Sequence, residues 1–400
     1  MINVAIIGSG SISRMHIEGY LAFPERCDIV ALCDIEYENC VKTKEKFALK
    51  DEVRLFSSHT DMLEKMRGGI EVVSICTPPY THAALTIDCL DAGINVVCEK
   101  PMAASLEECD AMLEAEKKSG KMLCCVAQNR FRDTILSLKK VVRSGRIGKT
   151  LHAQVDSFWW RGLHYYDLWW RGAWETEGGG CTLNHAVHHI DMLIWMLGMP
   201  EKVTAVISNV AHTNAEVEDI SVATLQYGES EVCAKGALAQ ITSSVIHHGE
   251  EQQLIFQTEK ARVSAPWKVT ANLAAPNAFP MREHDEALER ELTEFVESQE
   301  PLKYTNHTGE IDDVLTALEK RRKGADTQPL TTSEDGRNTL ELITAIYKAG
   351  ATGVCVKLPI AKDDPFYTVK GIMASVPHFY EKTAVARGFP GEITTSGNRA

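Results

Sequence analysis

Apolar positions along the first third of the chain follow two alternating rhythms. Short runs rich in Val, Ile and Cys lie near residues 3–8, 28–33, 71–76, 95–98 and 122–126. Between them, near 12–22, 37–47, 80–92 and 106–118, apolar residues return every three or four positions. The short runs predict buried strands and the longer stretches amphipathic helices; their alternation predicts a doubly wound parallel sheet over residues 1–126. From Leu151 the pattern changes to strands that alternate inward and outward residues, Leu151 to Trp159, Val203 to Val210 and Ile220 to Tyr227. Alternation of this kind predicts a large, open, mostly antiparallel sheet.

A charged amphipathic stretch over 281–299 predicts a helix, and so does Glu334 to Gly350, with Thr332 or Ser333 as N-cap and Gly350 as stop. Val354 to Leu358 predicts a last strand. The expected fold class is α/β. A Rossmann domain covers 1–126, and an α+β domain for substrate binding and oligomerisation covers 127–358, its helix 334–350 packing back toward the N-terminal domain. An arm without clear periodicity covers 359–400.

Composition narrows the partners. With 42 Lys plus Arg against 55 Asp plus Glu the net charge is -13, which repels nucleic-acid backbones and anionic lipid surfaces. The start, Met-Ile-Asn-Val-Ala-Ile-Ile, is a strand pattern rather than a signal peptide, and no apolar run is long enough to span a bilayer, so a soluble, cytoplasmic protein is expected. The 12 cysteines are scattered, mostly in apolar segments, without Cys-x-x-Cys spacing; they read as reduced, mostly buried thiols, and no metal site is expected.

The first strand runs into Gly8-Ser9-Gly10-Ser11-Ile12-Ser13, a G-x-G-x-x-S turn that opens a helix. Gly8 and Gly10 permit a tight turn and close approach to a pyrophosphate, and the helix N-terminus supplies N–H donors. Such turns also occur without a ligand, but here an acid, Asp34, ends the second strand. A carboxylate there accepts hydrogen bonds from ribose hydroxyls and repels a 2′-phosphate, which favours NAD over NADP. Its plain structural reading is a cap for the next helix, and Lys42 and Arg54 leave room for NADP.

Two further segments carry candidate chemistry. Glu99-Lys100-Pro101 follows a parallel strand at its carboxyl end, where open α/β sheets bind ligands, and a lysine there can ease deprotonation of a substrate hydroxyl. Gly178-Gly179-Gly180 feeds Cys181-Thr182-Leu183-Asn184-His185-Ala186-Val187-His188-His189-Ile190-Asp191. On a continuous helix turning about 100° per residue, Asn184, His188 and Asp191 share one face while His185 and His189 point elsewhere and read as packed core residues. An imidazole near neutrality suits proton transfer, and a neighbouring amide can orient it.

Taken with Thr77-Pro78 and Gln128-Asn129-Arg130, these motifs make the sequence resemble the Gfo/Idh/MocA oxidoreductases, over roughly residues 2 to 358. The resemblance implies Lys100 and His188 as the catalytic pair with Asn184 in support, and hydride transfer at nicotinamide C4 between the two domains. It also implies cofactor contacts at Gly8, Ser9, Gly10, Ser11, Ile12, Asp34, Thr77, Pro78, His82, Glu99 and Asn129. Many members carry Asp where this chain has Asn184, which puts the usual Asp–His relay in doubt.

Residues 158–174 hold five of the seven tryptophans, with Arg161, His164, Asp167 and Arg171 among them. Aromatic faces bind pyranose C–H faces while the polar residues suit hydroxyls or a carboxylate, so Trp160, Arg171, Asn184, His188 and Lys100 are the expected substrate contacts. Trp159 and Trp169 read equally as core or subunit contact. The segment Trp170-Arg171-Gly172 resembles one that lies near the nicotinamide in the family, so Trp170 and Arg171 are also expected at the cofactor. The overall expectation is an NAD-dependent dehydrogenase acting on a secondary hydroxyl of a sugar, glycoside or inositol, a homodimer or homotetramer associated through the second sheet. Two alternatives stand beside it: a glycoside-cleaving enzyme that oxidises C3 transiently with no net redox change, and a catalytically silent sugar or nucleotide sensor.

Overall fold

The computed structural model describes residues 1–386; residues 387–400, the end of the expected arm, lie outside the described residues. In chain order the first elements are β1 (Ile2–Ile7), α1 (Ser13–Leu21), β2 (Cys27–Cys33), α2 (Tyr37–Lys46), β3 (Arg54–Phe56), α3 (His59–Lys65), β4 (Val72–Ile75), α4 (His82–Asp91), β5 (Asn95–Cys98), α5 (Leu106–Ser119) and β6 (Leu123–Cys125). Next come α6 (Asp133–Arg143), β7 (Thr150–Phe158), α7 (Cys181–Asn184), α8 (Val187–Leu197), β8 (Lys202–Ser208), β9 (Ile220–Gln226), β10 (Cys233–Ser244), β11 (Gln252–Thr258), β12 (Arg262–Ala265) and β13 (Lys268–Thr270). The chain continues through β14 (Asn272–Ala274), β15 (Pro280–His284), α9 (Glu286–Glu297), α10 (Asn306–Arg322), α11 (Ser333–Thr352), β16 (Val356–Lys357) and α12 (Val369–Ser375).

The chain divides into two compact units, Met1–Arg132 with Leu302–Leu340, and Asp133–Pro301 with Glu341 onward. This division corrects the sequence boundary, which gave all of 127–358 to the second domain. The segment 302–340 returns to the first unit because α10 buries Ile311, Val314, Leu315 and Leu318 in the same core as Ile17 and Tyr20 of α1. That spacing of three and four residues is one apolar helix face.

In the first unit six parallel strands run in the order β3-β2-β1-β4-β5-β6. Their carboxyl ends lie in register: Phe56 pairs with Cys33, Cys33 with Ile7, Ile7 with Ile75, Ile75 with Cys98 and Cys98 with Cys125. The loops after these residues therefore leave the sheet along one edge, and strand order reverses between β1 and β4, the place where open α/β sheets bind ligands.

In the second unit an eight-stranded sheet has the order β13-β12-β11-β7-β10-β9-β8-β16, with β7 and β10 parallel and the other neighbours antiparallel. The helix expected over 281–299 begins only at Glu286, capped by Asp285 Oδ1 accepting from Leu288 N–H at 3.1 Å; the residues before it form the exposed hairpin strand β15. The arm is ordered as far as described: Trp174 Nε1 donates to Pro377 O at 3.0 Å, and Trp169 N–H to Ala386 O at 2.9 Å. Eleven cysteines are buried and Cys355 is exposed, none of them in a disulfide bond. Among the described residues no helix is long and apolar enough to cross a membrane.

Candidate active site

The turn after β1 is shaped by two glycines in different ways. Gly8 has φ +91°, and a Cβ there would lie 2.6 Å from the Cys76 carbonyl oxygen, so only glycine lets β1 run this close to β4. A Cβ on Gly10 would meet nothing within 4 Å, which leaves open space over the backbone at the start of α1. Ser13 Oγ donates back to Gly10 O at 2.7 Å, and Ile12 at the N-cap brings no capping side chain, so the first turn of α1 faces that space through its main chain. Asp34 supports the same turn. Its Oδ2 accepts from Ser9 N–H at 2.7 Å, and its Oδ1 from Glu36 N–H at 2.9 Å and Asn39 Nδ2 at 3.2 Å. Three donors leave lone-pair capacity on a carboxylate, so Asp34 holds the turn and can still take a ribose hydroxyl.

At the ends of β4 and β5 the expected contact residues separate into half-buried and enclosed groups. Thr77, Pro78 and Lys100 are half-buried, whereas Glu99 and His82 are buried. His82 places Nδ1 2.8 Å from Pro101 O and Nε2 2.8 Å from Thr77 O. With no exposed surface, it joins the loop after β4 to the loop after β5 and reaches a ligand only through them. Glu99 Oε1 lies 3.0 Å from His16 Nε2 and 3.7 Å from His307 Nε2, and Oε2 accepts from Lys100 N–H at 3.1 Å. Burial pushes the Glu99 carboxyl up, but the hydrogen bond from His16 and the nearby ring of His307 outweigh it and hold it well below the usual carboxylate range.

His16, Glu99 and His307 bring three ligand-type atoms within 4.8 Å of one another, a cluster the sequence reading did not foresee. Hydrogen bonding accounts for it: His16 Nδ1 meets Ser74 Oγ at 3.1 Å, and Ser74 Oγ meets Tyr20 OH at 2.9 Å. Asn129, buried beside β6, keeps its Oδ1 without a partner among the described residues. A buried amide oxygen of this kind calls for a donor from a ligand. The open cradle over Gly10 and this orphaned oxygen fit a dinucleotide.

In the second unit the three glycines before α7 are fixed by packing. A Cβ on Gly180 would fall 1.9 Å from Glu218 O. The Glu218 side chain accepts from Gly180 N–H at 3.0 Å, Thr182 N–H at 2.9 Å and Tyr347 OH at 3.0 Å, so it anchors the start of α7. Burial raises its carboxyl to about 7 against the opposing pull of those hydrogen bonds.

The continuous helix assumed from the sequence is interrupted after Asn184. His185 and Ala186 N–H both bond to Cys181 O at 3.0 Å, and regular helix resumes at Val187. Asn184 and His188 are half-buried, whereas Asp191 is only 6% exposed, so Asp191 does not share an accessible face with them. His185 and His189 are buried among packed side chains.

The aromatic segment splits as well. Trp174 is buried, edge-on to Tyr347 with centroids 5.0 Å apart, and belongs to the core. Trp160 is exposed and stacks on His248 at 5.6 Å. Arg171 lies over Trp170 at 4.2 Å and Tyr165 at 4.5 Å, its Nε is buried with no partner among the described residues, and its Nη1 donates to Glu177 at 2.9 Å. Glu177 also receives the Asn184 amide. No motif flagged Glu177; its place directly before the glycine triplet was the available signal.

Two family models match the chain: the NAD-binding Rossmann fold of the oxidoreductase family over residues 2–127, and the GFO/IDH/MocA C-terminal domain over residues 135–264. The chain belongs to the Gfo/Idh/MocA family. It is an oxidoreductase-family protein with an NAD-binding domain. Among relatives, it is 27% identical over 199 residues to the D-glucoside 3-dehydrogenase of Escherichia coli, covering 50% of this chain and 55% of that protein. It is 30% identical over 168 residues to the 2,7-anhydro-N-acetylneuraminate hydratase of Mediterraneibacter gnavus, covering 41% of this chain and 44% of that one. The chain thus spans about half the length of the curated relatives it matches. Among solved structures, the WlbA dehydrogenase from Bordetella pertussis, in complex with NADH and UDP-GlcNAcA, superposes with a TM-score of 0.72 at 29% identity, covering 90% of this chain and 99% of that one.

Proposed function

We propose that the protein is an NAD-dependent dehydrogenase that oxidises a secondary hydroxyl of a sugar, glycoside or inositol to a ketone. The observation that carries this reading is the half-buried Lys100 at the aligned carboxyl edge of the first sheet, its backbone tied to the buried Glu99 carboxylate and its loop to His82. Bound NAD would supply the hydride acceptor at nicotinamide C4, and Gly8, Ser9, Gly10, Ser11, Ile12, Asp34, Thr77, Pro78 and Asn129 would hold it. Lys100 and His188 take up the hydroxyl proton as the carbon gives up its hydride, Asn184 orients the reacting alcohol, and Trp160, Trp170 and Arg171 line the sugar site.

A homodimer or homotetramer through the second sheet fits the same reading. Val206 and Val222, paired in register on β8 and β9, and Leu238 on β10 are exposed on one sheet face. The relative bearing a hydratase name supports a second reading, in which oxidation is transient and NAD is regenerated in place. A panel of glucosides, free sugars, inositols and sugar acids assayed for NADH formation tests both. NADH accumulation with one class supports the dehydrogenase; product without NADH supports the cycling enzyme. Neither product nor NADH across the panel, with NAD still bound, leaves the sensor.

A further inference from the structure

Between Gly162 and Gly180 the chain that joins β7 to α7 forms one short 3-10 turn and no strand, yet it carries Trp170 and Arg171. A stretch of this length must find partners for its main chain outside any regular element. It finds them on the C-terminal arm and on the loop between β8 and β9, all within the second unit. Ala386 N–H donates to Asp167 O at 2.6 Å, Trp169 N–H to Ala386 O at 2.9 Å and Trp174 Nε1 to Pro377 O at 3.0 Å. Lys382 Nζ donates to Tyr166 O, drawn there by the negative field of Glu177, Asp167 and Glu216. Two residues of the loop grip both partners. Asn214 Nδ2 donates to Asp167 Oδ1 at 2.8 Å and to Ala384 O at 3.1 Å, while its Oδ1 accepts from Thr383 N–H and Ala384 N–H, each at 2.8 Å. That set of donors and acceptors fixes which way the amide points. Glu216 N–H donates to Gly172 O at 2.7 Å, and Glu216 O accepts from Phe379 N–H at 3.0 Å. Asn214 therefore grips the aromatic segment just before Leu168, and Glu216 grips it just after Arg171.

Resting on the dehydrogenase reading above, we propose that the C-terminal arm, residues 377–386, is a positioning element of the sugar site, and that Asn214 is the positioning residue that couples it to Trp170 and Arg171. Neither the arm nor Asn214 acts on the reacting carbon in this scheme. Their hydrogen bonds hold the main chain on both sides of the two side chains that line the sugar site. Loosening the arm therefore costs sugar affinity and leaves the chemical step intact.

Asn214→Ala, Lys382→Met and Lys382→Arg test the proposal in the full chain. Hydrogen–deuterium exchange reads the coupling without any substrate. In Asn214→Ala the amides of residues 165–172 and 379–386 should exchange about tenfold faster or more, and together, while those of β1 and β4 keep wild-type protection. On the sugar found by screening, KM should rise about tenfold with kcat within about twofold, because a loss shared by ground and transition states leaves kcat alone. NAD affinity should stay at the wild-type value. Lys382→Met should move exchange and KM in the same direction, and Lys382→Arg, which keeps the cation, should restore both. Faster exchange in the arm with residues 165–172 still protected overturns the coupling. A wild-type KM in a variant whose 165–172 amides exchange fast overturns the role in sugar binding. If the wild-type protein turns over no sugar, the dehydrogenase reading falls, and the exchange of the two segments still decides whether the arm holds Trp170 and Arg171 in place.

Discussion

Asp34 Oδ2 accepts the main-chain N–H of Ser9 at 2.7 Å, so the acid that ends β2 and the glycine turn that ends β1 are one structural piece. In the proposed reading, cofactor choice and turn geometry therefore depend on the same side chain. Asp34→Ala should narrow the preference for NAD over NADP by about tenfold, the worth of one charge-assisted hydrogen bond. It should also weaken NAD itself. Titration of both cofactors by tryptophan fluorescence checks this, and tighter NADP binding by the wild-type protein would overturn the assignment.

Trp174 and Trp170 sit four residues apart but should respond to mutation in opposite ways. Trp174→Ala empties a buried ring site against Tyr347 and should cost about 3–5 kcal/mol of stability. Trp170→Ala should leave the melting temperature close to wild type and weaken sugar or nicotinamide binding. Arg171→Ala is a less clean probe, since it strands the buried Glu177 carboxylate; thermal melting should show a loss that Arg171→Ala combined with Glu177→Gln partly restores.

Lys100→Ala and His188→Ala should each lower turnover by about 10²- to 10⁴-fold, the range for a positioned acid or base. NAD affinity should hardly move. The double variant should be only slightly worse than the poorer single one if the two act as a unit. His189→Asn, which alters a buried histidine of α8, serves as the control in the same turnover assay. Wild-type turnover in His188→Ala would show that the proton goes elsewhere.

Glu218 gives a pH prediction that needs no substrate. Its folded value of about 7 lies above that of an unfolded glutamate, so the stability it contributes is complete below about pH 4.5 and is lost as pH rises toward 7. Thermal melting of wild type and Glu218→Gln across this range should show the wild-type advantage shrinking by about 3 kcal/mol, the worth of the shift. A constant difference would mean that Glu218 is ionised throughout.

The strands of the first sheet were legible because buried parallel strands read as near-continuous apolar runs, as in Val4–Ile7. Arg54–Phe56 was missed because three residues at a sheet edge, one of them exposed, carry no period. The Ile311, Val314, Leu315 and Leu318 face of α10 was present in the sequence, but only packing against α1 says to which core it belongs. Within the candidate site, glycines and motif residues announce themselves. Glu177, Glu218, His16 and His307 do not, because their meaning lies in partners distant in sequence or in burial that no local pattern encodes. The break after Asn184 likewise follows from two amides sharing the Cys181 carbonyl, which helical periodicity does not register.

The distribution of thiols makes the protein its own counter of unfolding. Only Cys355 is exposed, and burial raises thiols such as Cys76, Cys98, Cys109 and Cys181 above their usual range, so an alkylating reagent should find a single ready site on the native chain. Nine of the buried cysteines, from Cys27 to Cys125, belong to the first unit, and two, Cys181 and Cys233, to the second. The number of adducts gained in dilute denaturant, read by mass spectrometry of the intact chain, would thus tell which unit opens first.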